Sequence, residues 1–411
     1  MFTLWKGLIL GEVRNGIKEP TIEEEDMFEL ALKGNRGYWN WLGLLALIIG
    51  AGAVCFSWQL RHGLTITGLS RDVSWGFYVA QLTFLVGVAA SAVMLVLPYY
   101  LHNYKVFGKI TMIGEFVAVS AICMCLLFLF VDLGKPARAL NIFLYPTPNS
   151  IIFWDAIVLM GYLLLNIVVG WNVLEAERKL VVPPSWVKPL IYVSIPWAFA
   201  IHTVTAFLYC GLPGRGFWLT AIMAPRFLAS AFASGPALLI LLCMLLKRAT
   251  RFDAGKEAVQ TLAKIVTYAL LANVFFLLCE VFVVFYSRIP DHMDHFIYLY
   301  EGLHGKATLV PWMRVSLIFQ GVAIVLLVNP GTRRDEKILA VSCAMVFVGT
   351  WIDKGVGLIA GGFIPSPLHH VTEYIPTGPE LIISMGIYGI GILCLTLLLK
   401  VAVGVKQEVQ G

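Results

Sequence analysis

The sequence predicts an all-α integral membrane protein of about ten transmembrane helices, and three observations carry that prediction. Of its 411 residues, 59% are hydrophobic and only 13% charged, with a mean hydropathy of +0.81, more apolar surface than a water-soluble core can hide. Apolar runs of roughly 20 residues, the helix length that crosses about 30 Å of hydrocarbon, recur along almost the whole chain. Basic residues, finally, alternate in density from one connecting segment to the next, as they do where alternate loops face the cytoplasm.

The chain opens with a 36-residue stretch that is polar overall and of mixed charge. An acidic run, Glu23, Glu24, Glu25 and Asp26, stands where a signal peptide needs a basic start and an apolar stretch, so no cleavable signal is expected. Two amphipathic pieces, Met1 to Leu10 and Met27 to Leu32, leave two readings open: docking on a partner or the membrane surface, or a disordered tail. The predicted spans follow at 41–60, 75–101, 109–131, 151–174, 189–209, 226–247, 262–287, 309–328, 337–360 and 380–401. With the N-terminus inside, twenty of the thirty Lys and Arg fall in inner segments, nine in outer ones, and Lys354 inside a helix. Both termini are therefore expected in the cytoplasm, with the chain in the cell (inner) membrane. The net charge of +5 reflects this bias and points to no nucleic-acid partner.

Short connections make consecutive helices neighbours, which predicts two four-helix bundles, helices 2–5 and 6–9, with helices 1 and 10 flanking them. The expected division is a cytoplasmic arm over 1–40 leading into helix 1, a first bundle over 62–210, a second over 226–361, and a last helix with a cytoplasmic tail over 380–411.

The eight cysteines, Cys55, Cys123, Cys125, Cys210, Cys243, Cys279, Cys343 and Cys394, lie in or beside apolar spans and form no C-x-x-C ladder. They read as packing residues, and iron–sulfur ligation by this chain is not expected. A membrane b-type haem needs two histidines at matching depth on facing helices, and only His202 lies well inside a span. His62, His102, His292, His295, His304, His369 and His370 lie in loops or near span ends, so neither haem nor other metal is expected here. Electron transfer would then need a diffusible carrier or a partner's cofactor.

Charged groups are costly in hydrocarbon, so embedded ones mark function. The topology puts Arg71, Asp72, Trp75 and Tyr78 at the outer end of helix 2, Asp132 at the outer end of helix 3, and Asp155 about one turn into helix 4 from the same side. His202, 13 residues after Pro189, is about 20 Å into the membrane at 1.5 Å per residue, and Tyr209 lies further out. Together they outline a polar pocket in the first bundle, open to the outer face, with Trp75, Tyr78, Trp154 and Tyr209 as an apolar slot for a ring. The chemistry suits a quinone: its redox steps carry protons, and histidine and a partly buried carboxylate are groups that move them near neutral pH. The competing reading pairs the aspartates with Arg71, Lys135 and Arg138 at the membrane border.

Helices 7 and 9 carry a second set, Glu280, Asp353 and Lys354. Adjacent helical residues point about 100° apart, so Lys354 is expected to pair with Glu280 rather than Asp353. Glu115 stands alone near the inner end of helix 3. These four outline a possible proton path, and a structural salt bridge between Glu280 and Lys354 is an equal alternative. Long outer loops, 211–225, 289–311 and 361–379, rich in Pro, Gly and aromatics, suit a platform for a soluble partner. A secondary transporter or proton channel using the same acids is the alternative function, although no pair of matching broken helices at the midplane supports it.

Four segments in order, His62 to Tyr78, Asp132 to Arg138 (DLGKPAR), Phe153-Trp154-Asp155 and Ile201 to Thr205 (IHTVT), resemble the NrfD/PsrC family of quinone-interacting membrane subunits of respiratory complexes. The resemblance covers roughly residues 55–400 and is nearest the branch that serves the DsrMKJOP complex of sulfur metabolism. It implies two four-helix bundles plus two helices, and menaquinone or a related quinone near the outer face of the first bundle. It also implies a periplasmic-face ferredoxin-like iron–sulfur subunit, a c-type cytochrome subunit, and a second membrane subunit with haem b joined to a cytoplasmic iron–sulfur subunit.

Overall fold

The computed structural model describes residues 34–410 apart from 91, 103 and 251; the amphipathic pieces expected in the N-terminal arm lie outside the described residues. Among the described residues ten helices are long and apolar enough to cross a membrane, and they fall on the ten expected spans. In chain order the helices are α1 (Arg36–His62), α2 (Phe77–Ala90), α3 (Val93–Leu101), α4 (Gly108–Asp132), the short α5 (Asn141–Leu144), α6 (Ile151–Arg178), α7 (Val187–Cys210) and α8 (Met223–Ala249). They continue with α9 (Lys256–Ser287), the short α10 (Pro290–Tyr300), α11 (Val310–Val328), α12 (Pro330–Arg334), α13 (Glu336–Trp351), a π-helical stretch (Ile352–Gly357), α14 (Leu358–Phe363) and α15 (Gly378–Gln410). The second crossing is α2 with α3, and the ninth is α13, the π stretch and α14. No strand occurs among the described residues, only an isolated bridge between Leu303 and Lys306.

Local signals explain several ends. The Asn35 side chain accepts from the Tyr38 N–H and starts α1, and Asp335 accepts from the Lys337 and Ile338 N–H groups and starts α13. Proline occupies the first turn of α10 and α11, where its missing N–H costs nothing.

Burial shows how the helices are arranged. Every residue of α2 from Tyr78 to Ala90 is buried, because α2 packs against α4, α7, α8 and the π stretch at once. Helices α2/α3, α4, α6 and α7 touch one another in a closed ring, as do α8, α9, α11 and α13, and the two rings meet where α8 and the π stretch lie on α2 and α8 lies on α7. Helix α1 pairs with α15, which also packs on α4 and α6. That pairing is close: a Cβ on Gly52 would lie 2.7 Å from the Gly386 Cα, and one on Gly386 would lie 2.8 Å from the Gly52 Cα. Large apolar side chains left exposed, such as Leu47, Val54, Phe275, Phe282 and Val325, sit on outward helix faces and match a hydrocarbon surround.

One end of the molecule carries long connections, of which 63–76, 211–222, 288–309 and 364–377 pack into a second apolar cluster around Trp218, Tyr298, Ile364 and Tyr374. A buried carboxylate fastens this layer. Glu380 accepts from the Gly68 N–H at 2.7 Å, the Tyr374 hydroxyl at 2.7 Å and the Thr377 N–H at 2.8 Å, while the Tyr374 oxygen accepts from the Phe77 N–H at 2.7 Å. The start of α2 is thereby tied to the start of α15.

Candidate functional site

Helices α6 and α7 run side by side and bring Asp155 against Thr205. The Thr205 hydroxyl is 2.6 Å from Asp155 Oδ1 and 2.7 Å from the carbonyl of Ile201. A hydroxyl has one hydrogen to give, so two arrangements fit the same atoms. Either Thr205 donates to an ionised Asp155, or it donates to Ile201 and accepts from a protonated Asp155. This pair accommodates a proton on the carboxyl or off it without moving a heavy atom.

One turn along α7 lies His202, fully buried, and neither of its ring nitrogens has a hydrogen-bond partner. Leaving such groups unmade costs about 1–3 kcal/mol each, and buried polar atoms are otherwise nearly always satisfied. Two turns outward on the same face, the Tyr209 hydroxyl pairs with Thr83 of α2, whose own hydroxyl is 2.7 Å from the Val79 carbonyl. The Tyr209 ring packs on Trp75, Trp218 and Phe227, at centroid distances of 5.8, 5.4 and 5.9 Å. Trp75 in turn stacks on Trp218 and meets Phe363 edge-on. These aromatics roof the Asp155–His202 region from the loop-rich end, and the Arg215 guanidinium lies 4.3 Å over the Phe363 ring.

The other expected members are dispersed. Asp72 precedes α2 and lies in the loop layer: Thr372 donates to it at 2.8 Å, Arg71 is 3.9 Å away and largely exposed, and Arg215 donates to its main-chain carbonyl. Asp132 ends α4 with its Oδ1 buried and unpartnered, next to Val131, whose carbonyl accepts from Gln59 of α1. Tyr78 turns the same way. Its hydroxyl donates to Gln59 of α1 at 2.8 Å, and Gln59 donates to the Val131 carbonyl at 2.6 Å, so Tyr78 does not line a slot with Tyr209. Trp154 also departs from expectation: it is 44% exposed with its indole N–H on the Pro148 carbonyl, because its neighbour Asp155 takes the inward direction.

The second charged set is built differently from the expected Glu280–Lys354 pair. Arg226 of α8 donates to Glu280 at 2.5 Å and to both oxygens of Asp353 at 2.9 and 3.0 Å. Lys354 instead donates to the Phe227 carbonyl at 3.3 Å, with its ammonium 4.3 Å from the centre of the Phe227 ring. The physical reason is the π-helical stretch, a local widening frequent at functional sites, which sends Asp353 to the α8–α9 side and Lys354 toward α2. Arg226 was missed because it sits at the first predicted residue of its span and counts as a loop cation. Charge balance was the available signal, since two embedded acids and one lysine leave a cation wanting. A narrow cavity with room for about one water lies beside Arg226 and Asp353, walled by Tyr300, Phe296 and Met313. Glu115 is apart from all of these. It is buried on α4 against Gly170 of α6, and its Oε2 has no partner.

Among the described residues no group of three or more His, Cys, Asp or Glu side chains is placed to hold a metal ion. The open valences belong to hydrogen-bonding groups, suited to an organic ligand's oxygens, with aromatic walls beside them.

Comparison with known proteins agrees with this architecture. A putative dimethyl sulfoxide reductase membrane subunit of Halobacterium salinarum is 27% identical over 396 residues, covering 86% of this chain and 88% of the relative. An Hdr-like menaquinol oxidoreductase integral membrane subunit of Archaeoglobus fulgidus is 23% identical, covering 80% and 81%. The menaquinone reductase integral membrane subunit of Nitratidesulfovibrio vulgaris is 20% identical, covering 83% and 85%. The description "Polysulphide reductase, NrfD" matches residues 65–365, a stretch that runs from the loop before α2 to the loop after α14 and so takes in both helix rings. The chain belongs to the NrfD family.

Proposed function

We propose that this chain is the quinone-reacting membrane subunit of an electron-transfer complex, exchanging electrons between a menaquinone-type quinone and an iron–sulfur partner seated on the loop-rich face. The observation that carries the reading is His202, fully buried with both ring nitrogens open and one helix across from Asp155. A quinone oxygen takes up a proton as it is reduced and gives one up as it is oxidised. His202 supplies a hydrogen-bond partner for that oxygen, and the Asp155–Thr205 pair holds or releases the proton. Two relatives named as menaquinol oxidoreductase and menaquinone reductase subunits support the choice of quinone.

The rest of the assignment follows the chemistry. Asp72, Arg71 and Asp132 support the site from the loop layer and from the α1 side. The basic-residue asymmetry puts the loop-rich end outside, where an extracytoplasmic ferredoxin-like subunit and a c-type cytochrome would dock. The likeness of the four signature segments to the Dsr branch supports a place in sulfur metabolism, beside a second membrane subunit with haem b and a cytoplasmic iron–sulfur subunit. We read the two helix rings as two four-helix bundles, the first holding the quinone.

The test is quinol-dependent turnover of the complex purified from membranes. His202→Ala should reduce turnover by at least 100-fold, in the range general acid–base groups contribute, while the complex still assembles. Normal turnover in a well-assembled variant refutes the assignment.

A further inference from the structure

Lys354 is 5% exposed and sits where the two rings meet. An ammonium has three N–H donors. Here it makes one long bond, 3.3 Å to the Phe227 carbonyl, and faces one ring. Its sequence neighbour Asp353 gives both oxygens to Arg226, so among the described residues no carboxylate forms an ion pair with Lys354.

The ammonium lies beside α2: a Cβ on Gly87 would be 3.1 Å from Lys354 Nζ and next nearest to Ala231 of α8, at 3.6 and 3.7 Å. Gly87 is one turn beyond Thr83 and shares its helix face, and Thr83 is the partner of Tyr209. That step is about 6 Å along the axis, and α7 runs antiparallel to α2. Gly87 therefore lies near the level of Thr205, one turn below Tyr209, with His202 next along. A side chain at 87 would crowd the ammonium, which would have to give by a few tenths of an ångström. A second glycine, Gly355, lets the π stretch approach α2, since a Cβ on it would lie 3.3 Å from the Ala80 carbonyl.

We infer that Lys354 is a headgroup-binding residue of the proposed quinone site, reaching from the ninth crossing past Gly87 to donate to a quinone oxygen beside His202. The inference rests on the quinone reading and adds that the site is built from both rings. An ammonium there opposes a second positive charge on the imidazole and favours an oxygen that gains negative charge as electrons arrive.

The purified complex in nanodiscs is titrated with the quinol analogue 2-heptyl-4-hydroxyquinoline N-oxide, followed by quenching of its fluorescence, and menaquinol KM and kcat are measured separately. Lys354→Gln should weaken analogue binding roughly tenfold or more, as loss of a bond from a charged donor does, and raise KM. Gly87→Ala keeps every charge and moves the ammonium by a few tenths of an ångström, so it should weaken binding several-fold; it decides the matter if Lys354→Gln fails to accumulate. Wild-type affinity in both variants, with binding lost in His202→Gln, overturns the role of Lys354 and leaves the quinone reading standing. Unchanged binding with slowed kcat also overturns it, in favour of a relay role. No binding by the wild-type complex overturns both.

Discussion

Replacing Arg226 with Met keeps the stem and removes the guanidinium that stands between Glu280 and Asp353. All three side chains are at most 10% exposed, and the bonds that the guanidinium makes to them are 2.5, 2.9 and 3.0 Å long. Removing one partner of a buried ion pair costs about 3–5 kcal/mol, because the charge left behind is uncompensated. Here two carboxylates are deprived of the same partner, and Lys354 is held away by Phe227, which puts the cost at the upper end, about 5 kcal/mol. With an unfolding entropy of roughly 2 cal/mol/K per residue over 411 residues, Tm should fall by about 6 °C. The assay is a thermal scan of the purified protein in detergent, followed by tryptophan fluorescence. The triple variant Arg226→Met, Glu280→Gln, Asp353→Asn removes the whole charge set and should recover to within about 2 °C of the wild type, because replacing a complete buried ion network is often neutral. A triple variant as unstable as the single one, or a single variant with unchanged Tm, refutes the reasoning.

Glu380→Ala removes the acceptor for Gly68, Tyr374 and Thr377 and should loosen the layer that roofs the candidate site, at a cost of about 2–4 kcal/mol; faster limited proteolysis within 62–76 and 364–377 is the expected readout, and an unchanged cleavage rate refutes it. His295 of α10 places Nδ1 2.9 Å from the Gly361 and Ile364 carbonyls, and burial, outweighing those two contacts, holds its imidazole below the usual pKa. A depressed histidine contributes stability that is present above the unfolded value of about 6.5 and lost as pH falls below it. Amide protection factors over 288–309, taken relative to intrinsic exchange at each pH, should therefore fall between pH 7 and 5.5, and His295→Asn should flatten the change; equal protection at both pH values in the wild type counts against this account.

The ten crossings were legible because length and apolarity alone decide them, and each of the ten expected spans has its helix. Counting residues from a span end put His202 and Asp155 within apolar spans, and both are buried in the long apolar helices α7 and α6. Direction around a helix was less accessible. The spans of the first ring are apolar nearly all round, so no stripe distinguishes inward from outward, and Tyr78 and Trp154 were assigned to a slot on depth alone. Lys354 shows a second limit. Its partner was inferred from α-helical geometry, and the π-helical stretch, which leaves no pattern in IDKGVG that composition can expose, turned it elsewhere. Gly87 and Thr205 carry no charge, and their value appears only through what stands opposite them.

The two polar regions differ in a way that separates structure from chemistry. Around Arg226 both carboxylates are bonded to one guanidinium, and deeper in the same ring Asn273 donates to Gln320, Gln320 to Ser316, and Ser316 to the Gly349 carbonyl, with the Asn273 oxygen alone left open in that chain. Groups that mostly bond one another are what a framework role requires. In the first ring His202 keeps two open nitrogens, Asp132 an open oxygen and Glu115 an open oxygen, each inside a well-packed neighbourhood. Open valences of this kind persist against a cost of about 1–3 kcal/mol apiece, and ligand or proton binding is what compensates it. Charge count alone would have ranked Glu280, Asp353 and Arg226 first. Unsatisfied valence ranks His202 first instead, with both ring nitrogens open against one open oxygen each for Asp132 and Glu115.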